Sequence, residues 1–159
     1  EMCIRDRPEP ESTTRFTTMA ALRERALAYI AQHFQEDDLS PARIAEAQGI
    51  SLRYLHALFA QGDTTVVGHI LESRLQACWR SLVDPACRHL QVSAIAFHWG
   101  FNSTSHFCRA FKQRFGVSPS DAREMTAHGS AIAMVESAGF SLAHAKSTCH
   151  ALVGKTRTG

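Results

Sequence analysis

Two glycines 51 residues apart, Gly49 and Gly100, do more than any other residues to limit what this chain can fold into. Gly100 interrupts Val92 to Arg114, VSAIAFHWGFNSTSHFCRAFKQR, in which Ile95, Ala96 and Trp99 give one short segment an apolar face. Beyond the glycine, Phe107, Ala110 and Phe111 recur at the three- and four-residue spacing of a helix lying on a core. Glycine can take the left-handed backbone of a helix end, and Ser103 can cap the helix that follows. The result is a helix, a sharp turn and a second helix that carries Arg109, Lys112 and Arg114 with no acidic residue among them.

The same pattern occurs earlier. Ser40-Pro41 supplies a cap followed by proline at the first helical position, Ile44-Ala45 corresponds to Ile95-Ala96, and Gly49-Ile50-Ser51 corresponds to Gly100-Phe101-Asn102. Tyr54-Leu55 and Leu58-Phe59 then line up with His106-Phe107 and Ala110-Phe111, the second copy having one extra residue in its turn. The chain is therefore a quasi-repeat of two helix-turn-helix units. A turn at Gln61–Thr65 and an apolar-patterned helix, Val66 to Leu82, separate them, and Asp84-Pro85 ends that helix. A stiff linking helix would hold two reading helices in one register. It would place them in successive major grooves about 34 Å apart, on an asymmetric, non-palindromic site.

The remaining chain frames these units. Residues 1–18 are polar, contain Pro8 and Pro10, and have no period that buries a face, so they read as a disordered tail or linker. Met19 opens an amphipathic helix with Leu22, Ala26, Tyr29, Ile30 and His33-Phe34 on one side, ending near Phe34. Ser118-Pro119 opens a last helix to about Met125. Residues 126–159 are rich in Ala, Ser, Thr, Gly and His and read as a second disordered tail, with a helical turn or two at Ala131–Val135. The expectation is an all-α fold of seven helices in two homeodomain-like helix-turn-helix subdomains. The domain spans 19–125, with units at about 40–60 and 91–114 and a linking helix at about 66–83.

Charge distribution is more informative than its total. The net charge is only +2, but Arg88 to Glu124 holds five basic residues against Asp121 and Glu124, whereas the charges of Ser40 to Cys87 cancel. A positive face would belong to the second half. Five cysteines, odd in number, widely spaced and without a Cys-x-x-Cys pair, argue against a disulfide framework and for a reducing cytoplasm. His98, His106 and Cys108 lack the paired ligands of a zinc site, so no metal or other cofactor is expected. No apolar run approaches the about twenty residues that span a bilayer, so no membrane partner is expected. No combination of nucleophile, base and orienting group is visible either, so an enzyme is not expected.

The run Ile95-Ala96-Phe97-x-Trp99-Gly100-Phe101, then Ser105-His106-Phe107-x-Arg109-x-Phe111-Lys112, then Phe115-Gly116-Val117-Ser118-Pro119-Ser120 with Arg123, resembles the AraC/XylS family of bacterial transcription regulators. That resemblance covers roughly residues 20–125. It implies a sequence-specific DNA-binding regulator, an activator, with double-stranded DNA as partner, RNA polymerase as a further one, and the bacterial cytoplasm as its location. Family base-contact positions map onto Arg53, His56 and Ala57, and onto Thr104, Ser105, Cys108 and Arg109. Helical spacing independently turns this set away from the core faces Leu55-Leu58-Phe59 and Phe107-Ala110-Phe111. Phosphate contacts are expected from Ser40, Ser51, Ser103, Lys112, Arg114 and Arg74, the last with a structural ion pair as its alternative role. Ala57 departs from the family pattern, where a long polar side chain is common, so the first unit should read less sequence than the second. The competing reading is a protein-interaction module that keeps the scaffold with weak or no DNA affinity. The family places a sensing domain before this region and nothing before Met19 is long enough to be one, so the chain reads as a fragment of a longer regulator or a stand-alone DNA binder.

Overall fold

Four of the described helices begin at a serine cap, Ser40, Ser51, Ser103 or Ser118, and three stop beside a left-handed glycine, Gly49, Gly100 or Gly116. The computed structural model describes residues 11–60 and 62–127, with side chains over 18–60 and 62–125. The described residues form seven α-helices and one short 3-10 turn, with no strand among them. The helices are α1 (Glu11–His33), α2 (Pro41–Gln48), α3 (Leu52–Phe59), α4 (Val66–Val83), α5 (Val92–His98), α6 (Thr104–Phe115) and α7 (Pro119–Ala127). The 3-10 turn, Pro85–Cys87, follows α4 and is capped by Asp84, whose carboxylate accepts from the Ala86 N–H at 2.9 Å.

One difference from the sequence reading lies at the start. The first helix begins at Glu11, eight residues before Met19, so residues 11–18 are helical rather than part of a tail. No proline or glycine lies between Glu11 and His33, so nothing interrupts backward extension of the helix once Met19 to His33 has formed. Residues 1–10 and 128–159, including the helical turn expected at Ala131–Val135, lie outside the described residues.

The chain divides into two compact units, and the division falls inside α4. The first comprises the described residues through Gln32 together with Ser40–His69; the second comprises His33–Leu39 together with Ile70 onward. In the first, Ala26 and Ile30 of α1, Ile44 and Ala45 of α2, Leu55, Leu58 and Phe59 of α3, and Val66 are buried. Arg23 lies over the Phe59 ring at 5.5 Å and so covers one edge of this aliphatic core.

The second core is aromatic. Trp79 stacks on Phe111 with centroids 5.5 Å apart, Phe107 meets Phe101 and Phe111 edge-on at 5.0 and 5.4 Å, and Phe34 stacks on Trp99 at 5.7 Å. Burying an indole N–H requires an acceptor, and Trp99 donates to the buried hydroxyl of Ser81 at 2.9 Å. Burial also pushes the Cys78 thiol well above its ordinary range, so it packs as a neutral side chain.

Both units turn on the same backbone device. In the first, the Gly49 N–H donates to the Glu46 carbonyl and the Ile50 N–H to the Ala45 carbonyl; in the second, Gly100 donates to Phe97 and Phe101 to Ala96. These paired bonds are the Schellman motif, which needs a left-handed residue, and Gly49 and Gly100 have φ of 66° and 83°. Their surroundings differ. Gly49 has open space where a Cβ would sit, whereas a Cβ on Gly100 would lie 2.9 Å from the Arg74 Nε. At α7 the cap is reciprocal: the Ser118 N–H donates to the Asp121 carboxylate and the Asp121 N–H to the Ser118 hydroxyl, both at 3.2 Å.

This packing sets four outcomes. Trp99→Ala should cost about 3–5 kcal/mol in a thermal or denaturant melt, and Ser81→Ala about 1–3 kcal/mol through the stranded indole N–H. Gly49→Ala should cost about 1–2 kcal/mol, the left-handed penalty alone, with Gly100→Ala clearly worse because Arg74 must also move; equal costs would contradict the packing. The Ser118 hydroxyl and N–H hold the Asp121 carboxyl below its usual range. Its contribution to α7 is therefore complete above the ordinary carboxylate pKa and lost as pH falls through the depressed value. Amide exchange at Ala122 should show that loss in the native chain and not in Asp121→Asn.

Candidate nucleic-acid interface

In the first unit, Ser51 stands at the N-terminus of α3 and its hydroxyl accepts from the Tyr54 N–H at 3.1 Å. With Leu55, Leu58 and Phe59 buried, the solvent side of α3 carries Arg53, His56 and Ala57, Ala60 is exposed just past its end, and no acidic residue occurs from Leu52 to Phe59. Helical spacing had turned these four outward. It had not singled out Leu52 and Tyr54, which are 43% and 36% exposed. Both lie in the first turn of α3, directly after its cap.

In the second unit, Ser103 caps α6, its hydroxyl accepting from the His106 N–H at 3.3 Å. Phe107 and Phe111 are buried and Ala110 packs beside them. Ser105, His106, Arg109, Lys112 and Gln113 are exposed, while Thr104 and Cys108 are half-buried. Arg109 curls one turn back and donates through Nε to the Ser105 carbonyl at 3.3 Å. The bond draws the side chain along the helix toward its N-terminus, the direction in which helical side chains lean.

Two phosphate candidates have hydrogen-bond partners within the protein. Arg74 turns inward: Nε donates to the Phe34 carbonyl and Nη2 to the Glu36 carbonyl, both at 2.7 Å, and the Asp37 carboxylate acts on it electrostatically. Its half-buried guanidinium lies against Gly100, and burial lowers its pKa. Arg114 donates through Nε to both carboxylate oxygens of Glu72, at 3.0 and 2.8 Å, and this hydrogen bond raises its pKa. Arg114 stays exposed, with Glu72 as its neighbouring countercharge. The partners lie 38 to 42 residues away in the chain, so no local pattern signalled either arrangement.

The three serines serve their own helices. The hydroxyl of Ser40 accepts from the Arg43 N–H at 3.3 Å, as those of Ser51 and Ser103 do in theirs. A phosphate at these termini would meet backbone N–H groups. Lys112 remains exposed, and the α6 segment Thr104–Phe115 contains no acidic residue. Phe97, at 53% exposure on α5, is the most exposed aromatic side chain of the described residues of this unit. No group of three or more His, Cys, Asp or Glu among the described residues could hold a metal ion, and no described helix is long and apolar enough to cross a membrane.

Comparison with known proteins bears on the family and the fold. Residues 44–125 match the family model described as "Helix-turn-helix domain". The transcriptional activator RhrA of Rhizobium meliloti is 34% identical over 98 residues, which are 62% of this chain and 31% of that protein. The transcriptional activator NphR of Rhodococcus sp is 38% identical over 90 residues, 57% of this chain and 26% of that protein. The chain thus spans under a third of the length of either relative. Among solved structures, the C-terminal domain of AraT, a response regulator from Geobacillus stearothermophilus, superposes with a TM-score of 0.60 at 28% identity, covering 65% of this chain and 84% of that one. A transcriptional regulator with an AraC-type DNA-binding domain from Chromobacterium violaceum also gives 0.60, at 25% identity, covering 70% and 96%. Through the double helix-turn-helix region that these proteins share with it, the chain belongs to the AraC/XylS family of helix-turn-helix regulators.

Proposed function

We propose that this chain is the sequence-specific DNA-binding part of a bacterial transcription activator, in which α3 and α6 each read a segment of major groove. The observation that carries the reading is the exposed face of α6, where Arg109 and Lys112 stand on a helix without acidic residues, presented by a glycine turn and a serine cap. Base edges are contacted by Arg53, His56 and Ala57 in the first unit, and by Thr104, Ser105, Cys108 and Arg109 in the second. Arginine suits guanine because its fork matches O6 and N7, and the small hydroxyl and thiol groups allow close approach to the groove floor. Lys112 and the N-terminal amides of the helices hold the phosphates. The names of RhrA and NphR support activation, and RNA polymerase in the cytoplasm is the corresponding partner.

A second reading, a protein-interaction module, draws on the exposed Leu52 and Tyr54 of α3 and Phe97 of α5. Salt separates the two. Phosphate neutralisation releases counterions, so DNA affinity falls steeply with salt, whereas an apolar interface is insensitive to it.

Arg109→Ala should lower affinity for a selected site by about 1–3 kcal/mol and relax preference at one base pair. Lys112→Ala should weaken all duplexes alike and reduce the salt slope by about one unit. Titrating both variants against a selected site and random duplex at several salt concentrations checks this. An unchanged ratio of specific to non-specific affinity in Arg109→Ala would reject base reading through that residue.

A further inference from the structure

The two reader helices can be compared residue by residue, because the cap and the core fix their register. Ser51 and Ser103 cap them in the same way, and Leu55 with Phe59 occupies the buried positions that Phe107 with Phe111 occupies in α6. One offset, 52 residues, satisfies all three pairs. At that offset Arg53 corresponds to Ser105 and Ala57 to Arg109, and all four are exposed. The arginine therefore sits in the first turn of α3 but in the second turn of α6. Four residues of helix separate the two positions, about 6 Å along the axis, on the order of two base-pair steps.

Resting on the DNA-reading proposal above, we infer that the two readers carry different codes in opposite order. In α3, Arg53 reads a guanine from the first turn and Ala57 reads a thymine methyl from the second; in α6, Ser105 meets a base edge from the first turn and Arg109 reads a guanine from the second. The chemistry at Ala57 is restrictive. Its methyl can neither donate nor accept a hydrogen bond, and the apolar group that the bases present in the major groove is the C5-methyl of thymine. Ala60 is also outward-facing and apolar, but it lies past the last residue of α3, whereas base edges are met by the N-terminal residues of a reading helix. The DNA site is therefore not a direct repeat, although the protein is one: its two guanines occupy different places within their segments, and one segment has a required thymine.

The test modifies DNA first, so that protein folding is not in question. Sites are selected from random duplex with the whole chain, then scanned with deoxyuridine for thymidine, which removes the methyl alone, and with 7-deazaguanine, which removes the N7 acceptor. One thymine should be methyl-sensitive, with binding weakened about fourfold, the effect of one buried methyl. Two guanines should be sensitive to N7 removal, one losing that sensitivity in Arg53→Ala and the other in Arg109→Ala. Ala57→Arg, checked for native helicity by circular dichroism, should convert the preference at the methyl-sensitive position from thymine to guanine. A selected site whose thymines all tolerate deoxyuridine, or an Ala57→Arg variant that keeps the wild-type preference, overturns the inference while leaving DNA reading intact. Failure to enrich any site overturns the DNA-reading proposal and this inference together.

Discussion

A helix-turn-helix depends on how sharply the chain can leave its first helix, and here a left-handed glycine closing a Schellman motif sets that departure in each unit. Two hydrogen bonds in each copy satisfy carbonyls that the helix end would otherwise leave unpaired. The serine cap then begins the next helix after one intervening residue in the first unit and two in the second. Every exposed side chain of α3 and α6 inherits its direction from this geometry. In the second unit the bare Cα of Gly100 also admits the Arg74 guanidinium, which donates to the Phe34 and Glu36 carbonyls. Turn, α4 and the segment His33–Leu39 are thus joined through a single side chain.

Arginine fills two roles here, and partners distant in the chain mark the first. Arg74 is half-buried and meets two backbone carbonyls, and Arg114 holds a carboxylate on α4, so both help to build the second unit. An exposed pair such as Arg114–Glu72 contributes under about 1 kcal/mol, and it places a countercharge beside the end of α6. Arg53 and Arg109 stand on outward faces with no acidic residue on their own helices. A net charge of +2 is therefore no measure of what α3 and α6 present.

The two cores differ in a way that suits unequal units. The first core is mostly aliphatic and alanine side chains with Phe59, whereas the second uses two tryptophans and several phenylalanines, with Ser81 supplying the acceptor for one buried indole N–H. Aromatic burial contributes more per residue but demands that each polar handle find a partner. That demand places the buried hydroxyl of Ser81 in α4, opposite Trp99.

Much of the fold was legible in the residues themselves. Seven helices, the glycine turns, the serine caps and the buried sets Leu55-Leu58-Phe59 and Phe107-Phe111 all arise from interactions within about five residues along the chain, which spacing and residue type report directly. The outward direction of Arg53, Ala57 and Arg109 follows from the same periodicity. The start of α1 was missed because a polar stretch without an apolar face gives no periodic signal, although it contains nothing that would stop a helix already formed. The sequence by itself determined where the helices turn and which faces they bury. Only the tertiary structure decided that Arg74 and Arg114 have partners within the protein, because those partners lie 38 to 42 residues away and packing alone brings the groups within hydrogen-bond reach.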